Sequence, residues 1–354
     1  MTDFVVLGSG SLARVVCYSL AASSARPIRV AVVGRKTATV EEICQVSRAR
    51  AAIGESTAAF RAVTVPTWRP EELASVLARF VPDAVLLCAS TQSPWEGVER
   101  PSAWTRFVAR AGFGVTLPFH VELAETAARA AAASAPHSLF LNAAFPDAVN
   151  PVLAALRAPV FAGVGNVAVL AAAARAGLAG DGLEGELAVL AYHVHLHAPA
   201  NAEDEALIYV DGLRVPATPL LAAQRRVNRR EANQVTGLSA ARTLLAAVGE
   251  DPVAAHLPGP AGLPGGYPVT IGARRIALRL PGGVTDQEAV QVNRRWAELD
   301  SVTVEGDRIR FTGAAAATLP AVCPGVPIEF PMADLAAVRL VLTQHRDRLR
   351  DTAG

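Results

Sequence analysis

The stretch that most narrows the fold is TDFVVLGSGSLA, residues 2–13. Its apolar run, Phe4 to Leu7, reads as a buried strand, and RVVCYSLAASS at 14–24 continues with helical periodicity. Between them lies Gly8-Ser9-Gly10-Ser11-Leu12-Ala13. Strand, glycine turn and helix in that order are what a dinucleotide fingerprint requires. Gly8 permits the tight turn and Gly10 lets a pyrophosphate approach the backbone. Ala13, standing where a third glycine is common, still allows close packing of helix on strand. The phosphates would sit on the free N–H groups of the helix N-terminus, which makes Gly8, Ser9, Gly10, Ser11 and Leu12 the expected cofactor-binding residues.

The second strand, RVAVVGRK at 29–36, ends without the acidic residue that ordinarily binds an adenosine ribose 2′-hydroxyl. Gly34-Arg35-Lys36 stands there instead, so a carboxylate that would repel a 2′-phosphate is absent and two cations are present. Arg35 and Lys36 therefore favour NADP over NAD, with a basic surface turn as the plain alternative. Helices expected at 40–52, 70–80 and 119–134 alternate with strands near 61–65, 83–90 and 137–145. That alternation gives a doubly wound parallel sheet. Ser90 and Thr91, just past a sheet strand, would line the nicotinamide ribose.

After Gly163-Val164-Gly165-Asn166 the pattern changes. An alanine-rich helix at 167–179 is followed by strand-like alternation at 186–197 and 206–210, a long helix over 221–248, strands near 268–280 and a helix at 285–300. The expected organisation is α/β throughout, with an N-terminal Rossmann domain, 1–165, built on the parallel sheet. A C-terminal α/β catalytic and dimerisation domain, 166–354, would carry a mixed or antiparallel sheet, with 301–354 as an extension. The extension reads as short strands and a helix at 332–350, whose Arg339, Arg346, Arg348 and Arg350 suit a solvated face; covering a dimer surface or lidding the site are equal alternatives for the segment.

A net charge of +1 over 354 residues excludes a basic nucleic-acid footprint. The alanine-rich runs are too short and too interrupted by charge to span a bilayer. Cys17, Cys44, Cys88 and Cys323 are scattered without a CxxC, and no targeting segment is visible, as expected of reduced thiols in a cytoplasmic protein.

Chemistry is most legible at Tyr192-His193-Val194-His195-Leu196-His197. On a strand, residues at i, i+2 and i+4 share one face, so the three histidines would point the same way. One could be a general acid; three together could begin a zinc site, although no further ligand spacing completes one. Half-exposed strand histidines are the simplest reading.

Several short motifs, taken in order, give the chain a resemblance to the lactate/malate dehydrogenase superfamily over residues 1–300. Gly8 to Ala13 matches its opening fingerprint. Glu96-Gly97-Val98-Glu99-Arg100 is similar to its mobile active-site loop, which ends in a catalytic arginine. Asn142 stands in the place of its active-site asparagine, with the following Asn-Pro displaced to Asn150-Pro151. Val164-Gly165-Asn166 resembles the start of its catalytic half, and Val189 to His193 the strand delivering its catalytic histidine. Ile208 to Gly212 resembles the strand returning from that histidine, and Thr236 to Ala240 the helix segment lining the substrate pocket. Pro268 to Gly272, Ala277 to Leu280 and the helix from Thr285 resemble the family's closing hairpin and last helix. The resemblance implies His193 as proton donor, Arg100 polarising the carbonyl, and Asn142 orienting nicotinamide or substrate. It also places Asn233, Gln234 and Thr236 in the substrate pocket.

Two departures bear on the chemistry. The family's aspartate, which orients the histidine, and its arginine, which clamps a substrate carboxylate, fall at Ala168 and Ala171. His193 is thus expected to lack an orienting partner, and a simple 2-oxo acid to lack its bidentate fork. The sequence leads to an NADPH-dependent oxidoreductase acting on a carbonyl or imine of a specialised metabolite, with a homodimer expected. A non-catalytic nucleotide-binding or scaffolding subunit, held by a biosynthetic partner protein, is the alternative. A metal enzyme built on the histidine strand is a third reading.

Overall fold

A strand that is apolar on both faces needs helices on both sides. In the computed structural model, which describes residues 2–180, 182 and 184–352, β1 (Thr2–Leu7) lies inside a six-stranded parallel sheet. Its neighbours are β2 (Ile28–Gly34), β3 (Ala59–Thr64), β4 (Ala84–Leu87), β5 (Leu139–Asn142) and β6 (Ala162–Gly163), in the order β3-β2-β1-β4-β5-β6. The order reverses between β1 and β4, and the crevice at such a reversal is where doubly wound sheets bind ligands.

The helices of this half are α1 (Ser11–Ser23), α2 (Thr37–Ile53), α3 (Pro70–Phe80), α4 (Glu96–Glu99), α5 (Ala103–Ala111), α6 (Leu117–Ser134) and α7 (Pro146–Ala155). After them come α8 (Asn166–Gly180), β7 (Leu187–Leu190), β8 (Leu207–Val210), β9 (Leu213–Val215), α9 (Ala217–Arg226) and α10 (Arg229–Ala247). The chain continues through β10 (Val253–Pro258), β11 (Gly266–Gly272), β12 (Arg275–Leu278), α11 (Asp286–Leu299), β13 (Val302–Glu305) and β14 (Arg308–Phe311). The last elements are α12 (Gly313–Val322), β15 (Glu329–Pro331) and α13 (Leu335–Arg350). Past β6 the strands form three antiparallel sheets: β7-β8-β9, β10-β11-β12 and β13-β14-β15. No helix among the described residues is long and apolar enough to cross a membrane.

Alternation along β1 divides the core. Phe4 and Val6 enter one cluster with Val16 and Leu20 of α1, Ile43 of α2, and Ala240, Ala241 and Leu244 of α10. Val5 and Leu7 enter the other, with Leu77 of α3, Trp104 and Phe107 of α5, and Phe119 and Ala127 of α6. That second cluster also holds Val302, Ile309, Phe311, Leu319, Phe330, Val338 and Leu342. The extension read from sequence at 301–354 packs, through residues 302–342, as a layer on the parallel sheet.

Other expectations change as well. The long helix of 221–248 is two helices, because the chain turns at Val227-Asn228 and the Asn228 side chain accepts from Arg230 N–H to cap α10. The arginine face of α13 is not simply solvated. Arg350 makes a two-pronged pair with buried Glu96 at 2.6 Å and 2.6 Å, and Arg346 lies 4.4 Å over the Phe119 ring.

Phe311 belongs to the core shared with Trp104. Phe311→Ala should cost about 3–5 kcal/mol and lower the midpoint of a single urea transition followed by tryptophan fluorescence. Two separated transitions, with the first alone shifted, would show that 301–354 folds apart from the sheet.

Candidate active site at the end of the parallel sheet

The glycine turn is shaped by close approach. Gly8, at φ +135°, sits so near the end of β4 that a Cβ there would lie 2.7 Å from the Cys88 carbonyl oxygen. Gly10, by contrast, faces open space, with nothing within 4 Å of where its Cβ would be. It begins α1 without a side-chain cap, and the first turn holds no acidic residue. The N–H groups of Ser11 and Leu12 are thus free of competition from a carboxylate, which suits an anion. The end of β2 abuts this turn: a Cβ on Gly34 would lie 2.9 Å from Ser9 Oγ. Arg35 and Lys36 come next, both exposed. Asn233 of α10 donates to Ser11 Oγ at 3.1 Å, so this residue, expected in the substrate pocket, stands at the glycine turn. Thr236 turns its hydroxyl back onto its own helix, donating to the Ala232 carbonyl, and Gln234 is exposed.

Ser90 and Thr91 sit after β4 as expected, but their hydroxyl protons are committed. Ser90 donates to the Gln92 carbonyl at 2.5 Å and Thr91 to the Phe119 carbonyl at 2.8 Å, which leaves their oxygens as acceptors only. Arg100 is exposed at the end of α4. The loop before it is braced rather than hanging free. Gln92 donates to Glu96 at 2.7 Å, Arg346 to the Thr91 carbonyl at 3.1 Å and Arg230 to Glu99 at 2.9 Å, beside the Arg350 pair. The expected mobile loop is held at root and tip.

Asn142 requires a correction. Its amide donates to the Ala144 carbonyl at 3.1 Å and to Asn150 Oδ1 at 3.0 Å, while its Oδ1 accepts from Ala144 N–H. Both amide protons are used within the turn from β5 to α7, leaving none for nicotinamide or substrate.

The histidine run requires another. The strand stops at Leu190, and His193–Leu196 form a 3₁₀ turn, so the three imidazoles diverge instead of sharing a face. Buried His195 accepts the Tyr192 N–H on Nδ1 at 2.8 Å and directs Nε2 to the Asp204 carbonyl at 2.8 Å. His197 is exposed. Among the described residues no group of three His, Cys, Asp or Glu could hold a metal ion.

His193 does have an orienting carboxylate, contrary to expectation. Its Nδ1 lies 2.9 Å from Asp300 Oδ2, and the two side chains are only 13% and 6% exposed. Asp300 follows α11, and Ser301 next to it takes a left-handed φ of +71°. The Asp300 carbonyl accepts from Gly114 N–H at 2.9 Å, and a Cβ on Gly114 would lie 2.4 Å from that oxygen, so the 113–116 turn fixes the aspartate. The carboxylate that the resemblance would place at residue 168 comes here from a helix end 107 residues further along the chain than His193. A carboxylate only accepts, so Nδ1 carries its proton toward Asp300 and Nε2 faces away from the pair.

Aromatic rings surround the imidazole. Phe113 stacks on His193 at 4.7 Å between centroids and Phe145 meets it edge-on at 5.3 Å. Phe145 itself holds a left-handed φ of +48°, a strained conformation for a bulky side chain, at the point where β5 turns into α7. Two residues on, Asp147 is fully buried: Oδ2 accepts from Asn166 at 3.0 Å, while Oδ1 has no partner. Burial pushes the Asp147 carboxyl up to about 6, against the opposing pull of His193. Sequence reading missed Asp300 and Asp147 together, since neither sits in a local motif.

No family model and no curated protein sequence matches the chain. Its fold is similar to that of the malate dehydrogenase of Archaeoglobus fulgidus, solved in complex with NADH. The TM-score is 0.56 at 13% identity, covering 84% of this chain and 97% of that one. At that identity the likeness shows a Rossmann dehydrogenase-like fold.

Because its folded-state value is raised, Asp147 holds a proton from about pH 4 to about 6 that the unfolded chain releases. Its contribution to stability therefore falls as pH rises through that window, by up to about 3 kcal/mol. Asp147→Asn keeps the acceptor for Asn166 and should match the native protein near pH 4, then melt progressively higher than it up to pH 7. A stability difference that does not change with pH would contradict this account.

Proposed function

We propose that the protein is a nucleotide-dependent oxidoreductase that reduces a C=O or C=N group, with NADPH preferred over NADH. The observation that carries this reading is the His193–Asp300 pair, placed beside the crevice of a dehydrogenase-like sheet. Thr91, on the loop after β4, bonds to the carbonyl of Phe119, and the Phe113 and Phe145 rings connect that place to His193. The open Gly10 position, the uncapped α1 N-terminus and the cations Arg35 and Lys36 fit a dinucleotide carrying a 2′-phosphate.

A bound nicotinamide would supply the hydride. The chain's part is to deliver a proton and to exclude water. Asp300 fixes the imidazole so that Nε2 gives its proton to the substrate heteroatom as negative charge develops there. The same carboxylate stabilises the imidazolium before transfer. Phe113 and Phe145 close the imidazole off on two sides, and the alanine at 171 leaves no fork for a carboxylate there. The expected substrate is accordingly not a simple 2-oxo acid. In the archaeal malate dehydrogenase the bound nucleotide is NADH; the basic end of β2 is the reason to favour NADPH here.

Titration with NADPH and NADH by nicotinamide fluorescence should give tighter NADPH binding, weakened about tenfold by Arg35→Ala with NADH unaffected. Binding of neither nucleotide would remove the reading and favour a scaffolding subunit. With a carbonyl that the protein reduces, His193→Gln should abolish NADPH consumption. Asp300→Asn should lower kcat about 100-fold with little change in KM. Undiminished turnover in both variants would exclude His193 as the acid.

A further inference from the structure

His120 is unusual among the buried groups. It lies in the first turns of α6 at 2% exposure, and neither ring nitrogen has a hydrogen-bond partner. An unpartnered buried imidazole costs about 1–3 kcal/mol, and a phenyl or isobutyl group would fill the same space without that cost. The ring is not remote from the chemistry. It packs on Phe113 at 5.3 Å and on Phe145 at 5.9 Å, the two rings that also flank His193. Its neighbour Phe119 carries the carbonyl that Thr91 holds. His120 is therefore at the junction of the loop after β4 and the proton donor.

We propose that His120 is the second hydrogen-bond donor to the substrate oxygen that His193 protonates, and that this oxygen belongs to a ketone or aldehyde with apolar or aromatic flanks. The proposal rests on the functional reading above. Two imidazoles packed on the same two phenyl rings bring two N–H groups and apolar neighbours to one place, which suits an uncharged carbonyl. In the reduction, a hydride adds to the carbonyl carbon, the C–O π pair moves to oxygen, and the His193 proton completes the hydroxyl. His120 keeps its proton and donates throughout, so the developing alkoxide has two donors instead of one. The two imidazoles differ in their surroundings. His193 faces Asp300, with Asp147, His197 and Arg229 also within electrostatic reach of this cluster, whereas burial and then the charge of His193 keep His120 neutral, its pKa drawn down to about 3. A neutral imidazole always retains one N–H, so its donor capacity is constant over the working pH range. Phe113 and His193 are partly exposed whereas His120 and Phe145 are buried, so a substrate would have to enter past the first two.

The test uses the full chain with NADP⁺ bound and acetophenone as the probe, a dead-end pair in which no hydride is available. In imidazole ¹⁵N spectra, the ring nitrogens of both His193 and His120 should shift with one common saturation curve. His120→Phe should weaken acetophenone binding about tenfold and leave NADP⁺ affinity unchanged. His120→Gln, which keeps an N–H donor, should bind within about threefold of the native protein. A packing role would give the opposite order, with Phe tolerated and Gln not. A response of His193 alone, or equal binding by His120→Phe, overturns the proposal while sparing the functional reading. No response from either imidazole, with NADP⁺ bound, overturns both the contact and the apolar ketone. Failure of NADP⁺ itself to bind removes the functional reading and the proposal with it.

Discussion

The molecule is governed by the need to cover two apolar faces of one parallel sheet. The segments between the strands cover part of each face, and the remainder comes from far along the chain. α10 lies across the Phe4 and Val6 side, and residues 302–342 across the Val5 and Leu7 side. This coverage has consequences for the site. Seating α10 brings Asn233 to the glycine turn and Arg230 to the loop after β4. Seating β13 and β14 brings the end of α11, and with it Asp300, against the 113–116 turn. The His193–Asp300 pair is assembled by the same packing that stabilises the sheet.

The His193–Asp300 pair shows how one physical requirement can be met from a different place in a fold. An imidazole that donates a proton needs a fixed tautomer and a nearby negative charge. The position at which a related fold supplies that charge holds Ala168 here, and a carboxylate from the end of α11 supplies it instead. The surroundings of the pair are unusual for a core: an ionisable Asp147 with one unpartnered oxygen, an unpartnered His120, and a phenylalanine in a left-handed conformation. Each is unfavourable for folding alone. Their concentration around one imidazole is the reason the proposed chemistry is placed here.

Much of the parallel sheet was legible in the sequence, because strand, glycine turn and helix leave short-range signatures. The helix at Pro70–Phe80 begins and ends where the proline and the apolar spacing put it. What failed depended on tertiary context. Tyr192 to His197 alternates like a strand, yet β8 pairs only as far as Leu190, and past that point the backbone closes into a 3₁₀ turn. The Val227-Asn228 break carries no glycine or proline and is invisible to periodicity. Asn142 has the right position for an active-site residue, but its neighbours Ala144 and Asn150 consume its amide. Asp300 and His120 could not be singled out by any local motif. Their contacts exist only once distant segments meet, and a single sequence holds no record of that meeting.

The bracing of residues 90–100 bears on ligand affinity. A loop that must be ordered by its ligand subtracts that ordering from the binding free energy, and the apparent affinity falls with the fraction of molecules in the competent shape. Here Arg350, Arg346 and Arg230 already hold the loop. Its conformational entropy is lost when the chain folds, before any ligand arrives. A small ligand bound beside this loop would meet a preset mould and carry no folding penalty from it. Discrimination between such ligands then falls to the fit of the walls and not to the closing of a lid.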